Sequence, residues 1–296
     1  MSQRAFGGAH TLKKLKIIEE YLGLFSLALK NQQFDRIYID AFAGSGEIPG
    51  KISKDQETLF SENFRNEKQA VVKGSAQRAM DLKTPFNRYI FIDKKASNIE
   101  ELKERFSRHN RFKLCEFYCA DANSKLKELC ASINWGKNRA VVFLDPYGNQ
   151  VTWKTIEVLA RTKALDLWYL FPSGTGVYRQ VSTKGEIHET HKESLIRLFG
   201  NSEILDELAI IEKEDDLFGE QEVSRRTATV ESVTKLMISQ MKRTFAGGVL
   251  NEWVPLGRSK NHPLYSLIFA WANPSDRASK LARALAKVVL KGVSET

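Results

Sequence analysis

Five short runs rich in β-branched and aromatic residues constrain this chain more than any other feature. "RIYIDAF", "RYIFID", "KLCEFYCAD", "AVVFLD" and "ALDLWYLF" end at Phe42, Asp93, Asp121, Asp145 and Phe171. Helical patterns separate them at about 74–83, 96–108, 122–133 and 153–162. Strands alternating with crossover helices build a parallel sheet covered on both faces, because each crossover must be long and right-handed. Ligands of such sheets sit beyond the carboxyl ends of the strands. Four of the five runs carry an aspartate there: Asp40, Asp93, Asp121 and Asp145.

The rest of the chain is organised around that alternation. Leu12, Leu15, Ile18, Leu22 and Phe25 recur at spacings of three and four, which predicts an amphipathic helix over 11–30. The polar stretch 47–73 reads as an insertion over the site, and 172–224, with its acidic run "EKEDD", as a second one. Helices are expected around 188–199 and 225–246, then a late strand in "YSLIFAWANP" and a basic helix in "DRASKLARALAKVVLK". One domain over 1–296 is the simplest organisation at this length.

Composition excludes several classes. At 42% hydrophobic and 27% charged residues the chain should fold, and disorder is excluded. No apolar run is long enough to span a bilayer, and the start lacks the apolar core of a secretory signal, so a cytoplasmic protein with no membrane partner is expected. Cys115, Cys119 and Cys130 form no C-x-x-C pair, which argues against a disulfide framework, a zinc finger or a radical iron–sulfur site. His188 and His191 lack further ligands, so no metal is expected. A net charge of +9 points toward an anionic partner such as nucleic acid, although many basic proteins bind none.

Three readings compete for the turn in "YIDAFAGSGEI". Gly44 and Gly46 would suit a plain tight turn. A dinucleotide loop needs a third glycine where Pro49 stands, and an acid about 20 residues on, whereas the next strand-end acid is Asp93. The third reading is a resemblance: D-x-F-x-G-x-G, here Asp40, Phe42, Gly44 and Gly46, is similar to the S-adenosylmethionine loop of methyltransferases. That ligand carries an ammonium and a sulfonium, so a strand-end carboxylate attracts it where it would repel phosphates. The resemblance implies Asp93 on the ribose hydroxyls and Asp121 on the adenine amine. Asp121 is equally suited to cap the helix that "DANSKL" begins.

"FLDPYGNQ" resembles the D-P-P-Y motif of amino-methyltransferases, and still more the D-P-[FY]-G form of tRNA guanine-N2 methyltransferases. The resemblance implies that Asp145 and the Pro146 carbonyl accept the two N–H bonds of an exocyclic amine while Tyr147 stacks under the base. The same turn would place Gly148 against the substrate, although D-P-Y-G is also a good β-turn by itself.

"GGAHTLKKLKIIEEYL", "YIDAFAGSGE", "GSAQRAM", "FIDKK", "FLDPYG" and "HPLYSLIFAWANP" together resemble the bacterial three-Cys-motif partner proteins, from about residue 8 to about 290. This implies a Rossmann-like class I methyltransferase fold with a seven-stranded sheet, and a radical-enzyme-like partner whose cysteines give the family its name. The expected activity is S-adenosylmethionine-dependent methylation of an exocyclic amine, in RNA more than DNA. A donor-binding or non-catalytic partner subunit, and a methyltransferase for a protein or small molecule, are the alternatives. Lys14, with His10 and Lys13, lies where it would cover the donor or touch a substrate phosphate, or else form a solvated helix face. Tyr178 and Arg179 follow the fifth strand, where they would touch the substrate or belong to a plain loop. Arg225, Arg226, Lys242, Arg243, Arg258, Lys260, Arg277, Lys280, Arg283 and Lys287 are candidate phosphate contacts.

Overall fold

The computed structural model describes residues 9–48, 72–216, 219–259 and 262–294. Helix α1 (Ala9–Ala28) leads into strand β1 (Asp35–Asp40), and a glycine turn follows. Then come α2 (Ser75–Met80), β2 (Arg88–Asp93), α3 (Ala96–Phe106), β3 (Cys115–Cys119), α4 (Ala122–Ser132), β4 (Asn138–Leu144), α5 (Trp153–Arg161) and β5 (Leu165–Phe171). After β5 lie α6 (Glu189–Phe199), α7 (Ile204–Leu208), a hairpin of Ala209–Asp216 with Gly219–Arg226, and α8 (Val230–Thr244). The chain closes with β6 (Gly248–Val249), β7 (Val254–Ser259), β8 (His262–Trp271) and α9 (Asp276–Ser294).

The sheet runs β6-β8-β5-β4-β1-β2-β3. Strands β1 to β5 pair in parallel, and β8 is antiparallel to β5. Strand β7 pairs with β8 off this path, which makes eight strands in this sheet among the described residues, where the family resemblance implies seven. All seven residues of β5 are buried, as expected of a strand covered on both faces. Leu126, Ile156, Leu195 and Met237 from α4, α5, α6 and α8 pack on one face. Tyr21, Met80, Leu102 and Ala286 from α1, α2, α3 and α9 pack on the other.

The differences from the sequence reading are local. The helix expected from 225 begins at Val230, because Thr229 caps it: its hydroxyl accepts from the Ser232 amide at 3.0 Å. Residues 219–226 instead form the second strand of the hairpin that contains "EKEDD". Of the insertion at 47–73, Glu47–Ile48 and Val72–Lys73 pair antiparallel; Pro49 and most of the rest lie outside the described residues, as does Lys260.

Helix α1 crosses its face from one edge of the sheet to the other. Lys14 lies at the carboxyl ends of the strands, against Asp145, which follows β4. Tyr21 lies at the amino end of β5, donating its hydroxyl to Asp166 at 2.6 Å. The Tyr21 ring also packs edge-on to Trp168.

Candidate functional site

Four aspartates line up across the carboxyl edge in the strand order β3, β2, β1, β4. Asp93 and Asp40 are the last residues of β2 and β1, Asp145 directly follows β4, and Asp121 lies two residues beyond β3. The register pairs Asp40 with Phe91 and Phe143. Counting two residues on, Asp93 and Asp145 share the α1 face with Asp40. A pattern read as four separate runs is thus one row.

Asp40 is fully buried behind the glycine turn. It accepts from Ser75 at 2.6 Å, Tyr38 at 3.1 Å and the Phe42 amide at 3.4 Å. Burial pushes its pKa up to about 6; the Ser75 hydrogen bond opposes this and the neighbouring Asp145 charge adds to it. Asp40 therefore acts on its surroundings by charge from behind the turn. Ser75 lies within "GSAQRAM", and nothing local in that run marks a serine that closes over a carboxylate 35 residues away.

Gly44 and Gly46 both have positive φ, +61° and +81°. A Cβ at Gly44 would meet nothing within 4 Å, whereas one at Gly46 would lie 2.6 Å from Leu102 Cδ1. Gly44 thus leaves room on the outer side of the turn, and Gly46 keeps the turn against α3. The Gly44 amide donates to Asp93 Oδ2 at 3.0 Å, and the Lys95 amide to Asp93 Oδ1 at 2.8 Å. Asp121 caps α4, accepting from the Ser124 amide at 3.0 Å through Oδ1.

Asp145 pairs with Lys14, whose side chain is only 11% exposed. The solvated helix face considered for Lys14 is corrected: the ammonium is enclosed between Asp145 and the Phe143 ring, whose centroid is 5.9 Å away. Pro146 is buried and Tyr147 is 75% exposed. Gly148 has φ +71°. Asn149 ties this turn to the segment after β5, donating to the Gly176 carbonyl at 2.6 Å. Asn123 of α4 adds a bond to the Gln150 carbonyl at 2.9 Å.

Tyr178 and Arg179 divide. Arg179 is exposed, while one face of the Tyr178 ring is covered by the Arg226 guanidinium at 4.2 Å. His188 caps α6 and His191 Nδ1 lies 3.3 Å from the Gln180 carbonyl. Among the described residues no cluster of His, Cys, Asp and Glu is suited to a metal ion, and no helix is long and apolar enough to cross a membrane.

The strand order, with its reversed β8 between β5 and β6, is that of the Rossmann-like class I methyltransferase fold. No protein-family model matches the chain, and no curated protein matches it. Among solved structures it is similar to protein LPL1258 of Legionella pneumophila, of family DUF519, at 13% identity and TM-score 0.43, over 80% of this chain and 94% of that one. It is similar to the O-methyltransferase TomG of Streptomyces achromogenes, solved in complex with SAM, at 12% identity and TM-score 0.35, over 76% and 92% of the two chains. The methyltransferase CcbJ of Streptomyces caelestis gives 11% identity and TM-score 0.33, over 86% and 96%.

Proposed function

We propose that this chain is an S-adenosylmethionine-dependent methyltransferase acting on the exocyclic amine of an RNA base. The observation that carries this reading is the row of strand-end carboxylates around a glycine turn whose outer side is open at Gly44. A site edged by Asp93 and Asp145, with the buried Asp40 charge behind it, favours a cationic ligand and disfavours a pyrophosphate. When bound, the donor supplies an electrophilic methyl group on a sulfonium. Asp93, already oriented by the Gly44 and Lys95 amides, keeps lone pairs for ribose hydroxyls. Asp121 has one carboxylate oxygen engaged by the cap, and the other is the candidate acceptor for the adenine amine.

The acceptor side is the turn from Asp145 to Gly148. Asp145 and the Pro146 carbonyl would each accept one N–H of the amine, aiming its nitrogen at the methyl group. Tyr147 offers an exposed ring on which a base stacks. The net charge of +9 and the D-P-Y-G spelling favour nucleic acid, RNA ahead of DNA.

One observation favours a second reading. The Lys14 ammonium already occupies Asp145. A donor-binding subunit that acts only with a partner, such as the radical-enzyme-like protein implied by the three-Cys-motif resemblance, would tolerate that pairing. Calorimetry with S-adenosylmethionine, followed by tritium transfer to separated tRNA, rRNA, DNA and protein, tests both. Donor binding with label in RNA is expected. Donor binding with no label in any fraction would favour the subunit, and label in protein alone would overturn the RNA substrate.

A further inference from the structure

Helix α9 carries Arg277, Lys280, Arg283, Lys287 and Lys291, all exposed. At 3.6 residues per turn these five cations fall within about 120° of arc over about 21 Å. Ala282, Ala286 and Val289 are buried against the sheet and α1 on the opposite side. The face is therefore basic along nearly its whole length. Asp276 at the first turn and Glu252, 3.8 Å from Lys287, are its acidic neighbours.

The stripe has a direction. Ser279 accepts from Trp271 Nε1 at 3.0 Å, and Trp271 pairs with Asp166 at the amino edge of the sheet. Lys287 lies beside Glu252, between β6, which pairs with Ala270, and β7, which starts opposite Leu267. From Ser279 to Lys287 the helix thus climbs toward the carboxyl edge. That edge holds the Asp145 turn, and α9 packs along α1, which brings Lys14 there.

We propose that this outward face of α9 is the track on which an RNA backbone lies as it enters the strand-end site, which rests on the RNA reading above. Cations every three or four residues match a polyanion, and each phosphate they neutralise releases counterions. A bilayer fits the face less well. Val288 is the one large apolar side chain exposed on the described part of the helix, too little to bury in an acyl layer.

The test is anisotropy titration of a fluorescein-labelled stem-loop RNA at several salt concentrations. A variant carrying Lys280→Ala, Arg283→Ala and Lys287→Ala should bind about tenfold or more weakly at low salt. Its slope of log affinity against log salt should shrink by about 2, from roughly 0.7 per lost single-strand phosphate contact. A control with Lys127→Ala, Lys154→Ala and Arg161→Ala removes the same charge from exposed positions on α4 and α5, across the sheet, and should stay within about threefold. Equal loss in both variants, no binding of RNA by the parent protein, or tighter binding of duplex DNA or of phosphatidylserine vesicles would overturn the track. Calorimetry with S-adenosylmethionine separates the two readings. Stripe-dependent RNA binding without donor binding sinks the methyltransferase alone; donor binding with stripe-independent RNA binding sinks the track alone.

Discussion

Lys14 and Asp145 meet across 131 residues of sequence, the ammonium of α1 closing on the carboxylate that follows β4. The pair puts a cation inside a row of anions. If the acceptor amine binds Asp145 as proposed, it must compete with Lys14 of α1 for that carboxylate.

Asp145→Asn keeps the shape of the side chain and removes its charge. Transfer should fall by about 100-fold or more, the scale of losing one electrostatic partner of a transition state, while calorimetry gives a donor affinity within about threefold of the parent. Unchanged turnover would remove Asp145 from the acceptor site.

On the proposed function, donor binding should depend on pH through Asp40. Its pKa in the folded protein is raised to about 6, so the carboxylate is anionic above that pH and protonated below it. A cationic donor prefers the anion, and the proton therefore competes with it. Affinity should be flat above pH 7 and fall about tenfold per unit below pH 6, and Asp40→Asn should abolish this dependence. A parent protein whose affinity is flat down to pH 5 would show that the Asp40 charge is not felt by the donor.

Gly44→Ala and Gly46→Ala separate turn from packing. Each places a side chain at positive φ, which costs about 1–2 kcal/mol. At Gly46 the new methyl also drives into Leu102, so denaturant unfolding should show the larger loss there. At Gly44 the methyl enters open space, and the larger effect should be on donor affinity. Equal stability losses with equal affinities would contradict an open outer side.

Tyr147→Ala should leave stability within about 0.5 kcal/mol, because the ring is 75% exposed. If it stacks on the base, about 1–3 kcal/mol is lost in kcat/KM on RNA. Unaltered kinetics would make the ring a bystander.

Asp166 governs a pH dependence of stability unconnected with the site. Burial raises its folded pKa to about 7, only partly offset by the Tyr21 hydrogen bond. The folded state thus holds the proton more tightly than the unfolded chain, whose carboxyl titrates near the ordinary 3.8. The stabilising contribution is complete below that value and is lost as pH rises through 7. Relative to Asp166→Asn, the parent should lose about 2 kcal/mol between pH 5 and pH 8 in urea unfolding. A parallel pair of pH profiles would rule this out.

Much of the frame was legible in the residues. The strand runs ending at Asp93 and Asp145 and the helices begun at Ala96, Ala122 and Trp153 follow from local periodicity, which one sequence displays. Strands β6 and β7 were missed: β6 is two residues long, and β7 contains Pro255 and bulges around Gly257, so neither shows a clean alternation. Asp121 was readable both ways, and its cap is made by Ser124 within the same helix.

The chain of residues therefore determined a parallel sheet, a glycine turn preceded by a carboxylate, and aspartates at four strand ends, because spacing along the backbone is enough to establish each. It did not determine that Asp40 is closed off by Ser75, that Lys14 covers Asp145, or that Tyr21 holds Asp166. Those contacts depend on how α1 and α2 lie across the sheet, which is set by the burial of Tyr21, Met80 and their neighbours against β-strand side chains far away in sequence. Burial then decides the chemistry of each carboxyl group. An aspartate near water is an ordinary acid, and the same residue under a helix holds its proton to near neutrality.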